Sequence, residues 1–306
     1  MNTAIEIIGT ESLGVRGLSC LVTAGTRRIV IDPGVALGYW RHGLLPHPCQ
    51  VAEGERVRQR IIEALEDATD IVFSHFHGDH VPLREANPYQ LAIRQLPANF
   101  HKLRGWSKAA DDSGEEMQHR ARDLSELLGS NLRMAEDGSD GPMSFSPAMP
   151  HGINGSPRGT VMMTRIELEN KVFVHTSDTQ LLDETVIDFI LAWQADIVLA
   201  GGPPLYIGTL PDELRRVAWR NSLRLAAHVD TLILDHHLMR DHQGPEWLDA
   251  LSMAAGNQVY CAADFMGRKR AFLEAERSEL YKAMPVPAGW HENYAKGLIS
   301  TEGYRC

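Results

Sequence analysis

The sequence predicts a layered α/β fold, and three observations point there. Short runs rich in Val, Ile and Leu recur along the chain, each bounded by Gly, Pro or polar residues. Longer amphipathic segments alternate with them, and strand-then-helix order builds sheets covered by helices. The chain has 306 residues, 43% hydrophobic and 23% charged, a soluble globular composition with enough apolar material for a two-sheet core.

Taken in order, strands are predicted over 4–9, 17–24, 27–32, 70–74, 143–148, 160–168, 171–176, 196–200, 231–235 and 258–262. A helix over 53–67 places Val57, Ile61, Ala64 and Leu65 on one stripe with charges opposite. Further helices are predicted over 115–129, 181–194, 212–228, 245–255 and 267–282. Residues 34–52 carry several Gly and Pro together with Tyr39, Trp40, Arg41, His42 and His47. They read either as a connecting loop or as a substrate-facing flap. Residues 81–142 are polar and read either as a solvated insertion or as a lid. After Pro285 the default is a loose tail, with packing across the body or against a second subunit as alternatives.

The most informative stretch is His75-Phe76-His77-Gly78-Asp79-His80, directly after the predicted strand over 70–74. Neutral imidazole and carboxylate suit zinc, iron or manganese, and no soft ligand is present. His75 and His77 point to one side of an extended backbone, and Gly78 lets the chain turn before Asp79 and His80. One segment can therefore serve two neighbouring metals. The competing reading is a His-rich surface loop.

His-x-His-x-Asp-His resembles the signature of the metallo-β-lactamase superfamily. The resemblance implies a four-layer αββα sandwich with a one- or two-metal site between the sheets. It covers roughly residues 4–265 of a chain that reads as a single domain over 1–306, with an insertion at 81–142, either solvated or a lid, and a C-terminal extension at 285–306. It also implies three more ligands in order. The lone His matches His151, which follows a short strand and precedes Gly152; His101 and His119 lie in polar or helical stretches and read as surface residues. The bridging carboxylate matches Asp178, in the turn Thr176-Ser177-Asp178-Thr179, and a carboxylate has two oxygens to share between metals. His175 reads as a packed strand residue. The last ligand matches His236. Because adjacent strand residues face opposite sides, only one of His236 and His237 is expected to face the metals. The look-alike segments over 70–75 and 231–236, and the opening hairpin with Asp32-Pro33-Gly34, agree with the same family. The pattern as a whole looks most like a functionally uncharacterised, predicted-hydrolase branch, which names no substrate.

The resemblance implies two divalent transition-metal ions, zinc first, with iron and manganese as alternatives. His75, His77 and His151 would hold one, Asp79, His80 and His236 the other, with Asp178 between. A hydroxide bridging them would attack a small ester, lactone, amide or phosphodiester. Asp79 would also orient that nucleophile. His237, in a cluster with Asp235, Arg240 and His242, is the first choice to protonate the leaving group, with an orienting role as the alternative. Where tRNA 3′-processing nucleases carry a His-Glu motif, this chain has Leu199-Ala200-Gly201-Gly202-Pro203-Pro204, which argues against nuclease activity. The other function classes are a di-iron, oxygen-dependent oxidoreductase and a non-catalytic metal- or ligand-binding protein.

A net charge of −10 disfavours nucleic acid and anionic membrane as partners and favours a small-molecule substrate. Cys20, Cys49, Cys261 and Cys306 are far apart, with no Cys-x-x-Cys, so reduced thiols and a cytoplasmic setting are expected. The start of the chain reads as a strand rather than a signal peptide, and no run is long enough to span a membrane. A homo-oligomer stays open.

Overall fold

Apolar side chains alternate along the N-terminal strands, and the alternation sorts them into two cores. Ile7, Cys20, Val22, Ile29, Ile31 and Val72 pack into one apolar cluster. Their strand neighbours Ile8, Leu21, Val30, Ile71 and Phe73 pack into another. A sheet with two buried faces must be covered on both.

The computed structural model describes residues 4–110, 114–156 and 158–304. Its first sheet runs in the order β1 (Ile5–Gly9), β2 (Ser19–Ala24), β3 (Arg27–Ile31), β4 (Asp70–Phe73), β5 (Arg104–Ser107) and β6 (Leu132–Met134). β1 to β3 are antiparallel, and β3 to β6 are parallel. The second sheet runs from β7 (Ser139–Asp140) through β8 (Met143–Pro150), β9 (Thr160–Glu167), β10 (Val172–His175), β11 (Ile197–Ala200) and β12 (Thr231–Leu234) to β13 (Val259–Tyr260). β7 to β10 are antiparallel and β10 to β13 parallel. Helices α1 (Pro48–Glu66) and α2 (Glu115–Leu128) pack on the outer face of the first sheet, through Val57, Ile61, Leu65, Leu124 and Leu128. α3 (Glu184–Ala192), α4 (Asp212–Ala226) and α5 (Gln243–Ala255) cover the second, where α4 meets β12 and α5 meets β13. Short helices α6 (Ala262–Phe265), α7 (Arg277–Ala283) and α8 (Trp290–Ala295) follow. The layers are those of the αββα sandwich expected from the resemblance.

Several elements differ from the sequence reading. β5, β6 and β7 were not expected, because Arg-Gly-Trp-Ser, Leu-Arg-Met and Ser-Asp are short and lack a clean apolar alternation. β5 is held instead by tertiary polar contacts. The buried carboxylate of Asp70 accepts from Arg27 at 2.6 Å and from the Trp106 indole N–H at 3.0 Å. Part of the 81–142 stretch is thereby built into the first sheet. α1 starts earlier than predicted, at Pro48: the His47 ring accepts the Cys49 N–H, and the Gln50 side chain accepts the His47 N–H. No helix spans 267–282. Gly267 turns the chain at φ 61, and the Ala271 N–H bonds Ser12 O, so a long-range pairing displaces helical bonding there. The C-terminal segment packs on the body, with Trp290 buried in the cluster under α1 and Tyr294 stacked on Tyr89.

Cys20 and Cys261 are free and buried. Cys306 lies outside the described residues. No helix among the described residues is long and apolar enough to cross a membrane.

Candidate metal centre

β4, β8, β10 and β12 all end at the same edge of the sandwich, and each is followed by candidate ligands. Ligand sites at the C-terminal ends of parallel strands are a general feature of α/β sheets. The segment after β4 supplies His75, His77, Asp79 and His80; His151 follows β8, Asp178 follows β10, and His236 and His237 follow β12. Glycines let these segments close in. A Cβ on Gly34 would lie 2.3 Å from the His80 carbonyl carbon, and one on Gly201 would lie 3.1 Å from the His237 ring.

Asp178 sits between two donor sets. Its Oδ2 is 3.6, 4.0 and 3.2 Å from the nearest ring nitrogens of His75, His77 and His151. Its Oδ1 is 3.0 Å from His80 Nε2 and 3.3 Å from His236 Nε2. Asp79 Oδ2 is 3.6 Å from the same His236 nitrogen. Donor atoms from His75, His77, His151 and Asp178 lie within 4.8 Å of one another, as do those from Asp79, His80 and His236. Ligands about 2.0–2.1 Å from a tetrahedral ion are about 3.3 Å apart, so these spacings fit shared ions. The chemistry of the donors fits as well. His80 Nε2 and Asp178 Oδ1 are buried and make no hydrogen bond among the described residues, which is costly unless a ligand meets them.

The rings are aimed from behind. The His80 Nδ1–H donates to Asp32 at 2.9 Å, and the His236 Nδ1–H donates to Glu11 at 2.7 Å. His75 Nδ1 lies 3.0 Å from the Ser74 hydroxyl, which itself donates to Asp32 at 2.6 Å. In each case Nε2 is left to face the centre. The ring partners of Asp32 and Glu11 lie 48 and 225 residues away along the chain, so no local sequence signal marks the role.

Electrostatics set the charge states. Burial would raise the Asp178 pKa, but the surrounding imidazoles of His236 and His80 hold it well below the usual carboxylate range. Asp79 is lowered too: burial opposes ionisation, and His80 and His236 outweigh it. Burial, with His80 and His77 adjacent, lowers His75 to about 3. For His236, burial disfavours the charged ring, yet Asp178 and Glu11 raise it to about 9. The centre thus presents ionised carboxylates and a neutral His75 imidazole, forms that bind cations.

The pair His236–His237 departs from expectation. β12 ends at Leu234, and His236 takes a φ of 22, so strand alternation no longer applies. The two rings do not diverge: their centroids are 4.5 Å apart, and His237 Nε2 is 3.4 Å from Asp178. Of the cluster around His237, Arg240 reaches the centre, with Nη2 3.1 Å from His236 Nε2. Asp235 is committed elsewhere, accepting from Thr10, Ser12 and Ala262, and His242 is exposed. His175 is buried, with its ring bonded to Leu18 O and the Ser177 N–H, and belongs to neither donor set.

No protein-family model matches the chain. A UPF0282 protein of Methanosarcina mazei is 48% identical over 300 residues, covering 98% of this chain and 99% of that one. The chain belongs to the UPF0282 family. A second UPF0282 protein, from Pyrococcus abyssi, is 32% identical across 95% of this chain and 98% of its own. Among solved structures, a metal-dependent hydrolase of the beta-lactamase superfamily matches with TM-score 0.51 and 14% identity, covering 84% of this chain and 94% of that one. An isothiocyanate hydrolase from Delia radicum gut bacteria matches with TM-score 0.50 and 14% identity, covering 81% and 94%. These likenesses show the metallo-β-lactamase fold for this UPF0282 member.

Proposed function

We propose that this UPF0282 chain is a dinuclear metal-dependent hydrolase acting on a small ester, lactone, amide or phosphodiester. One observation carries the reading: the two oxygens of Asp178 divide between two donor sets, each with enough further ligands for an ion. His75, His77 and His151 make one set; Asp79, His80 and His236 make the other. Divalent ions held there supply Lewis acidity and lower the pKa of water toward about 7.

The chain's own groups do the rest. The Asp79 side chain, 20% exposed at the mouth, accepts a hydrogen bond from the attacking water and aims it. His237 is held neutral by burial, so it acts on the leaving group as a hydrogen-bond partner rather than as a charged acid. Zinc is the first choice of metal, with iron and manganese next. The net charge of −10 supports a small-molecule substrate over RNA or DNA.

Elemental analysis and an optical spectrum of protein purified in air test the metal. Two zinc per chain without colour, together with turnover on a panel of lactones, thioesters and phosphodiesters, is the expected result. Two iron with an absorbing centre would replace hydrolysis by oxygen chemistry, and protein without transition metal would overturn the reading. Salt-sensitive RNA binding would contradict the substrate class.

A further inference from the structure

Beside the second donor set stands a small hairpin that the metal centre does not use. Arg41 and Leu44 exchange both backbone hydrogen bonds, at 3.1 and 2.9 Å. His42 and Gly43 close the turn with φ 54 and 73, the positive values that a two-residue hairpin needs. Its base is fixed: the Gly38 N–H donates to Glu274, and Arg277 donates to Leu44 O at 2.9 Å. Its outer face is open, with Trp40 64% and Tyr39 46% exposed as an edge-to-face pair.

Arg41 ties this hairpin to the metal-ligand loop. Its Nη2 donates to Arg240 O at 2.7 Å. The Arg41 and Arg240 guanidinium carbons lie 5.9 and 5.0 Å from the Tyr206 ring centroid. Arg240 also donates to the Tyr206 hydroxyl at 3.2 Å, and its charge is met by Glu11. Arg41 is less well matched. Asp241 is 3.8 Å away, and the buried Arg41 Nε has no hydrogen-bond partner among the described residues. A guanidinium that is only 15% exposed and whose charge is weakly met is costly, and an anionic oxygen arriving from solvent lowers that cost.

We propose that the 38–44 hairpin, through Arg41 with Tyr206 and Arg240 behind it, recognises an anionic oxygen group of the substrate, a phosphoryl or a carboxylate. The exposed Trp40 ring offers an apolar face for the organic part beside it. The proposal rests on the hydrolase reading for where the reacting bond lies, since it deepens the substrate choice at that same centre.

Calorimetric titration with phenylphosphonate, benzoate and neutral diethyl phenylphosphonate tests it, on metal-loaded and chelator-treated protein. Either anion should bind and the neutral diester should not; which anion binds tells phosphoryl from carboxylate. Arg41→Gln should weaken that binding about tenfold or more, as the loss of a charged hydrogen bond does, and Arg41→Lys should restore part of it. Circular dichroism checks that both variants fold. Equal binding of the anions by wild type and Arg41→Gln, or equal binding of the neutral diester, would overturn the proposal. The two readings fail separately. Absence of metal with Arg41-dependent anion binding sinks only the hydrolase reading; full metal content with Arg41-independent binding sinks only this one.

Discussion

Oδ1 of Asp178 lies 3.0 Å from Nε2 of His80, both atoms are buried, and neither makes a hydrogen bond among the described residues. A lone pair facing a lone pair at this distance is repulsive unless a proton or a cation lies between them. His80 has already given its Nδ1–H to Asp32. The relationship makes Asp178 the hinge of the centre, and it leads to the first expectation.

Asp178→Ala should lose most activity and at least one metal ion per chain, because it removes the carboxylate shared by both donor sets. Elemental analysis after gel filtration reads this directly, and a full metal complement in the variant would refute the bridging role. His175→Ala, changed just behind the centre, should keep both ions while losing stability through lost packing.

His236→Ala should strip or weaken the second ion. His237→Ala should retain both, since His75, His77, His151 and Asp178 on one side and Asp79, His80 and His236 on the other each gather three or more candidate donors without it. If His237 serves the leaving group, substrates with poor leaving groups should suffer more from its loss than activated ones. Metal loss in His237→Ala with full content in His236→Ala would exchange the two roles.

Asp32→Asn and Glu11→Gln should weaken metal binding about 10- to 100-fold while the fold survives, because these carboxylates orient His80 and His236. Competition with a chromogenic chelator measures this. Unchanged affinity would leave both as packing groups only.

Glu274 predicts an acid-sensitive contribution to stability. Burial would push its pKa up, but Arg16, Arg240 and Arg277 hold it down at about 2, against an ordinary 4.5. A lowered folded-state pKa stabilises above the unfolded value and is lost as pH falls through the folded one. The contribution of about 3 kcal/mol should therefore be full above pH 4.5 and vanish toward pH 2. Urea melts of wild type and Glu274→Gln across that window check it; parallel pH profiles would refute it.

Asp70→Ala should cost about 1–3 kcal/mol, since it leaves the Trp106 indole N–H without its acceptor and Arg27 with Asp140 alone where β3, β4 and β5 join. Denaturant midpoints of the variant measure the loss, and a near-neutral midpoint would show that the ion pair adds nothing net.

The sequence by itself determined the layered class, the long apolar strands and the order of the candidate ligands. Those features are local: His75 to His80 lie within one turn of chain, and strands such as β10 and β12 are written as runs of Val, Ile and Leu. It did not reveal β5, held by partners such as Asp70 rather than by its own pattern, or the short β6 that pairs with it. Nor did it reveal that Asp32 and Glu11 aim the candidate ligand rings. His236 and His237 mark the boundary most clearly. Alternation is a property of extended backbone, and it set them on opposite sides. The chain leaves the extended region at Asp235, which is bonded to Thr10, Ser12 and Ala262, and the turn that follows brings both rings to Asp178. Local periodicity stops where long-range hydrogen bonds fix the backbone, and only the tertiary structure decides which side chains meet there.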